Sequence, residues 1–238
     1  MAWSITADVD EFDEAVSWFR ERVPVTDAEY EELTAASRAR AFHLASISEL
    51  AIVQLVFDEV DRAIAKGTGI AEFRKQVREK LTGKTPIPES QLTLTFRNAS
   101  QEALNTGRWH QLTNPDVTAV RPYWMLDVVM DTRTTEEICK PLNKTIKAHD
   151  DPWWLTHWPP LHHQCRTGVR ALRRADAVRR GLTFGDPATG ADAGFGLAPP
   201  VRGTELPMPN REKVDPNAFA TFEHRRAQDP DNTNRGED

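Results

Sequence analysis

Both cysteines of the chain, Cys139 and Cys165, fall inside one stretch, residues 131–169, together with four of its seven histidines, His149, His157, His162 and His163. The stretch opens on the turn-like DTRT, continues through Cys139 to DDPWWLTHWPP and closes on LHHQCRTG. Concentrating soft and borderline ligands in one segment of an otherwise cysteine-free chain admits a metal clamp, a disulfide or a catalytic cysteine. Each use would force parts of the segment that are distant in sequence to converge.

The rest of the chain limits the setting. At 238 residues it can bury a real core, and 39% hydrophobic with 28% charged residues is the balance of a soluble globular protein. A net charge of −6 argues against a dedicated nucleic-acid-coating protein. No apolar run is long enough to span a bilayer, so no membrane partner is expected. The acidic start MAWSITADVDEFDEAV lacks the basic-then-apolar order of a signal peptide. A cytosolic chain is therefore predicted, in which a persistent disulfide would be unusual.

Pattern along the chain predicts an α+β protein: a helical N-terminal region (1–112), a small mixed α/β core (113–184) and an extended or disordered tail (185–238). Phe12, Val16, Phe19 and Val23 recur at helical spacing before Pro24. Thr26 with Glu29 and Ser46 with Glu49 both have capping-box spacing, the first opening a helix with Tyr30, Leu33 and Ala36. AFHLAS between them reads as extended. Val53, Val56, Phe57, Val60 and Ile64 trace one helical face up to Gly67. Phe73, Val77 and Leu81 mark a further helix, KTPIPES a loop, and residues 90–112 a helix with Phe96, Ala99 and Ala103 inward. TNPD (113–116) is a turn signal. RPYWMLDVVMD reads as a strand, KTIKAHD as a second strand, and VRALRRADAVRRG as a short helix. Beyond about 185 apolar residues are too sparse for independent folding.

His162-x-x-Cys165 can place two donors on one ion, and Cys139 can reach from the preceding turn. His157 is the expected fourth ligand, with His149 or His163 as substitutes, and one structural zinc is the expected cofactor. The bland alternative makes both cysteines small buried hydrophobes. A nucleophilic cysteine would need an oriented base and an oxyanion site, and no nuclease spacing is complete. No enzymatic activity is expected; a metal-dependent nuclease or toxin-like enzyme using the Cys/His segment is the alternative. Asp131 and Thr134 are expected to fix a turn, Arg133 and Arg166 to pair with carboxylates such as Asp150 or Asp151, and Trp153, Trp154 and Trp158 to fill the core. Arg166, Arg170, Arg173, Arg174, Arg179 and Arg180 form a basic cluster, read either as a solvated helix face or as a contact for DNA phosphates or an acidic protein surface.

The order DTRT, Cys139, DDPWWLTHWPP and Cys165-Arg166 resembles the core of the phage Mu F-like head morphogenesis family, the minor head proteins of tailed phages. Upstream, EAVSWFRERVPVT, the stretch RAFHLASISELAIVQLVFDEVDRAIAKGTGIAEFRKQVREKL and FRNASQEALNTGRWHQL resemble that family's helical region; downstream, DAGFGLAPP resembles a glycine-phenylalanine motif. The resemblance covers roughly residues 12–200. Thr167 stands where some members carry a further cysteine, and Cys139 where Mu-like members often carry histidine. The resemblance implies a structural protein of the virion, built into the procapsid near the portal. Its implied partners are the portal or major capsid protein, with non-specific DNA contact through Arg166, Arg170, Arg173 and Arg174.

Overall fold

A computed structural model describes residues 13–34, 38, 40–187 and 189–201. Phe12, Ala36 and the sequence beyond 201 lie outside the described residues. The architecture is mixed α+β, as the sequence pattern predicts.

The front of the chain is helical. Helix α1 (Asp13–Arg20) stops before strand β1 (Val23–Pro24), which pairs in parallel with β2 (Ala41–Phe42), the extended part of AFHLAS. Between them α2 (Asp27–Glu32) starts on the expected capping box: Thr26 and Glu29 exchange side-chain and backbone hydrogen bonds. The second expected box does not form. Helix α3 (Leu50–Lys66) begins at Glu49 with no side-chain cap, because Ser46 has turned to positive φ (63°) and donates its N–H to Asp27 Oδ2 at 2.9 Å. Gly67 ends α3 in the left-handed conformation (φ 62°) that glycine adopts without a Cβ clash. Helices α4 (Ile70–Lys80) and α5 (Glu89–Thr113) complete this half.

Their apolar faces meet in one core around Phe19, Phe42, Val56, Phe57, Val60, Phe73, Val77 and Leu92. Phe19 stacks on Phe57 with centroids 4.7 Å apart, and Phe42 meets Phe57 edge-on at 5.3 Å. Ala99 and Ala103 are buried as expected, and Phe96 packs partly buried against the same core, its ring 4.9 Å from that of Phe73.

The 25-residue α5 is about 37 Å long by helical rise and continues into a second core. TNPD does not simply turn: the Asn114 side chain accepts the N–H of Asp116 and opens α6 (Pro115–Val120). Strand β3 (Tyr123–Asp127) follows, central in an antiparallel sheet of order β4-β3-β5, with β4 (Ile146–Ala148) and β5 (Gly168–Leu172) as its neighbours. The segment expected to be wholly helical therefore divides: its first half is β5, whose five residues all find partners on β3, and only Arg174–Arg180 forms a helix, α8. A short helix α7 (Cys139–Leu142) and a 3-10 turn (Pro152–Leu155) lie between the strands.

Strand alternation sorts the second core into two faces. Trp124, Leu126 and Val128 point to one side, where Trp153, Trp154, Trp158, Leu161, Cys139 and Cys165 gather. Met125, Ile146 and Leu172 point to the other and are covered by Ala177 of α8. Trp158 is fully buried, meets Trp109 of α5 edge-on at 4.7 Å, and donates its indole N–H to the Asn105 carbonyl at 2.9 Å. Residues 183–187 and 189–201 run along this core. The N–H of Thr183 donates to Ile146 O at 2.9 Å, that of Trp158 to Gly196 O at 2.8 Å, and that of Ala198 to Leu155 O at 3.0 Å. Lys147, buried, joins Asp151 at 3.2 Å and Asp186 at 2.9 Å, which anchors the start of this segment.

Two predictions come from this packing. At Gly107 a Cβ would sit 2.8 Å from the backbone nitrogen of Ala15, where α1 crosses α5. Helix propensity favours alanine there by about 1 kcal/mol, but overpacking against backbone costs about 1–3 kcal/mol; Gly107→Ala should lower the urea midpoint, and a raised midpoint would contradict the close crossing. For Lys147, burial pulls the pKa down, but the hydrogen bonds its ammonium donates to Asp186 and Asp151 outweigh it and leave the group above its ordinary 10.5. A raised pKa stabilises the fold fully below the unfolded value and loses that contribution as pH rises through the folded one. Wild-type stability should thus fall above pH 10.5 more steeply than that of Lys147→Met; parallel alkaline curves would argue against the buried pair.

Candidate metal centre

Asp131 begins the architecture of the site. Its carboxylate accepts the N–H of Arg133 at 2.8 Å, and Thr134 Oγ1 donates to Val129 O at 2.5 Å, closing the DTRT turn as expected. Arg166 reaches back to the same carboxylate with two hydrogen bonds of 2.6 and 2.5 Å. Arg133 also pairs with Asp131, at 3.8 Å. The expected pairing of these arginines with Asp150 or Asp151 is thus replaced. Asp151 instead caps the 3-10 turn at Trp153 and meets Lys147. The guanidinium of Arg166, and next the N–H of Arg133, hold Asp131 well below the usual carboxylate range.

Behind this turn, Cys139, His162 and Cys165 converge, with one ligand atom from each within 4.8 Å of the others. Cys139 Sγ lies 3.1 Å from His162 Nε2, 3.9 Å from Cys165 Sγ and 3.3 Å from Thr167 Oγ1. Both cysteines are essentially fully buried, at 2% and 1% exposure, and His162 is 9% exposed. The donors are held from two separate stretches of chain. Cys139 opens α7, its N–H donating to Thr135 Oγ1 at 3.0 Å. The loop with His162 and Cys165 is gripped by α5: Arg97 donates to Gln164 Oε1 at 2.7 Å, and the Gln164 N–H donates to Asn98 Oδ1 at 2.7 Å. Asn105 Nδ2 donates to Thr167 O at 3.3 Å. His162 Nδ1 donates to the His163 carbonyl at 2.7 Å, leaving Nε2 turned toward the sulfurs.

The electrostatics of the cluster are those of a shared charge. Cys165 is pushed down, first by the hydrogen bond from Cys139 and against the opposing effect of burial, with His162 adding to the shift. Cys139 is pushed up by the same contact and by burial. His162 is raised, mainly by its hydrogen bond with Cys165. A cleft with room for about one water-sized group opens over Cys139 and His162, lined by Val129, Arg133, Thr134, Gln164 and Arg166.

Three of the four expected ligands therefore meet, and His157 lies elsewhere. Its ring stacks on Trp153 at 4.2 Å, its Nδ1 faces Trp153 O at 3.1 Å and its Nε2 faces Thr189 O at 3.3 Å. Of the substitutes, His163 pairs with Asn98 at 3.0 Å, and the ring of His149 lies 6.0 Å from that of Trp124. The disulfide alternative is absent from this structure: both thiols are free, 3.9 Å apart where a bond needs about 2.05 Å. Thr135 escaped the sequence reading, since its place one turn before Cys139 carries no signal of its own; Thr167 was marked there only as the position where some members of the resembled family carry a further cysteine, and not as a contact of Cys139. In the basic cluster, Arg170 pairs with Asp127, Arg179 with Asp176 and Arg166 with Asp131, whereas Arg173 and Arg174 lie exposed at the start of α8.

A helical front joined by one long helix to a small α+β core with a Cys/His cluster matches a known class. Residues 54–170, from α3 to β5 and including all three donors, match the family described as phage Mu protein F like protein. The putative capsid assembly protein F of Escherichia phage Mu is 31% identical over 188 residues, covering 71% of this chain and 42% of that protein. The Mu-like prophage FluMu F protein of Haemophilus influenzae is 30% identical over 168 residues, covering 64% of this chain and 39% of that protein. The chain thus spans about two fifths of the length of these relatives. No solved structure matches it significantly. Residues 54–170 of the chain thus belong to the phage Mu F-like family.

The turn over the cluster is testable. Asp131→Ala should speed amide exchange at Arg133 and Thr134 without moving the global unfolding midpoint. Because the Asp131 pKa is depressed, the turn's protection should be complete above the ordinary aspartate value of 3.8 and lost only as pH falls well below it. Exchange at these amides that is the same in wild type and variant would refute the role given to this carboxylate.

Proposed function

We propose that this chain acts structurally in head assembly of a tailed phage or phage-like particle, as a minor capsid-associated protein. The observation that carries this reading is the 31% identity to a protein named as a capsid assembly protein, running through both the helical front and the small core. On this reading the chain is built into the procapsid near the portal, is retained in the virion, and binds portal or major capsid subunits. Val129, Met130 and Phe184, at 47%, 52% and 89% exposure, are the kind of apolar surface a partner subunit would cover. DNA contact, where it occurs, would fall to Arg173 and Arg174, since Arg166 and Arg170 are committed to Asp131 and Asp127.

The accessibility of the Cys/His cluster supports a non-enzymatic role. A thiolate nucleophile needs a path to substrate and a positioned base. Although Cys165 has the depressed pKa of a reactive thiol, it is 1% exposed and sits beneath its neighbours. A metal-dependent nuclease or toxin-like activity would have to work through a cleft about one water wide.

Co-expression with the portal and major capsid proteins of the same phage tests the reading. The chain should co-purify with assembled heads at sub-stoichiometric ratio to the capsid subunit and be absent from free capsid subunits. Heads of normal shape and number that exclude it would overturn the proposal, as would metal-dependent nicking of DNA abolished by Cys165→Ala.

A further inference from the structure

We propose that Cys139, His162 and Cys165 together bind one zinc ion, held by three protein ligands, with a water from the adjoining cleft in the fourth position and no part played by His157. Bound there, the ion acts as a structural clasp between α7, the 162–165 loop and the entry to β5.

The spacing of the donors carries the argument. Two thiolates on a tetrahedral zinc, each about 2.3 Å from the metal, stand about 3.8 Å apart; the two sulfurs here are 3.9 Å apart. A thiolate and an imidazole on the same ion stand about 3.6 Å apart, so the 3.1 Å between Cys139 and His162 needs a ring movement of roughly half an ångström. The donors come from two separate stretches of chain and are nearly buried, so few solvent contacts would be lost when an ion enters.

The surroundings are those of a metal ligand set. His162 Nδ1 is engaged by the His163 carbonyl, which orients the ring and leaves Nε2 as the donor. Thr167 Oγ1 lies 3.3 Å from Cys139 Sγ, placed to donate to a thiolate, and is itself 1% exposed. Mixed thiolate and imidazole ligation selects zinc over the hard cations, which prefer oxygen. The cleft over Cys139 and His162 supplies the space for one water. Binding would release to solvent the proton that Cys139 holds against Cys165 and leave both cysteines as thiolates.

His157 was the natural fourth ligand on spacing alone, yet its ring is stacked on Trp153 and both nitrogens face backbone carbonyls. Moving it to the cluster would open the packing of the tryptophan core. This separates the present ligand set from the one the sequence suggests.

The test uses the full chain purified under reducing conditions. Elemental analysis should find one zinc per chain, and exchange for cobalt should give a thiolate-to-cobalt charge-transfer absorption. His157→Ala should keep the full zinc content; Thr167→Val, acting only on the outer shell, should weaken binding by roughly 10–100-fold. Removing the metal with a chelator should lower the thermal midpoint, and adding zinc back should restore it, a readout that holds even if Cys139→Ser or Cys165→Ser fails to fold. Folded wild type with neither zinc nor a cobalt charge-transfer band would overturn the site, as would a mass showing the two cysteines oxidised to a disulfide. Loss of zinc in His157→Ala would overturn the ligand set. None of these outcomes depends on a role in head assembly.

Discussion

Helix α5 is the member on which both halves of the molecule depend. Its first turns bury Leu92 and Ala99 among the phenylalanines of the helical front, and its last turns present Asn105 and Trp109 to the tryptophans of the α+β core. Within those later turns, Gly107 lets α1 approach so closely that a Cβ has no room. A helix of this length has few intrinsic means of staying straight and ordered in water; burial on different faces at its two ends supplies them. The same residues then become the scaffold for the second core. Arg97, Asn98 and Asn105 hold the loop that carries His162 and Cys165.

The second core is small, and it is filled by few, large groups. Trp124, Trp154 and Trp158 are each essentially inaccessible and contact one another edge-to-face. Such rings bury much area per residue, but their indole N–H groups need acceptors. Trp158 finds the Asn105 carbonyl and Trp154 the Ala148 carbonyl. Cys139 and Cys165 close one side of this cluster, so the Cys/His site is continuous with the hydrophobic core and not a cavity beside it. Because of that continuity, a movement wide enough to open the two cysteines would also disturb the tryptophans they pack with.

Much of this was legible in the residues. Helical periodicity located α3, α4 and α5, because each shows one apolar face to a single core, and the Thr26–Glu29 box and Gly67 stop rest on chemistry local to a few residues. Local chemistry failed where a distant partner intervened. Ser46 has the sequence of a cap but is drawn to Asp27, nineteen positions away along the chain. The stretch VRALRR has helical composition but is drawn into β5 by hydrogen bonds to β3, some forty positions earlier. For the site, clustering in sequence pointed to the two cysteines and His162, while the nearest-looking fourth ligand, His157, was misplaced because its ring is taken up by Trp153. Of the threonines that contact the donors, Thr135 carried no pattern, and Thr167 was marked only by standing where some relatives carry a further cysteine.

The family's marker residues can then be understood as one folding unit. The turn at Asp131 is tied to Arg166, and Arg166 follows Cys165 directly; Cys165 contacts Cys139, which stands eight residues after Asp131. The DDPWWLTHWPP stretch between them supplies the tryptophans against which both cysteines pack, and DAGFGLAPP returns to hydrogen-bond its backbone through Gly196 and Ala198. Each piece of the motif is thus held by another piece. A substitution in one loosens contacts in the others, so their order and spacing are constrained together by packing and hydrogen bonding, without any need for a shared reaction.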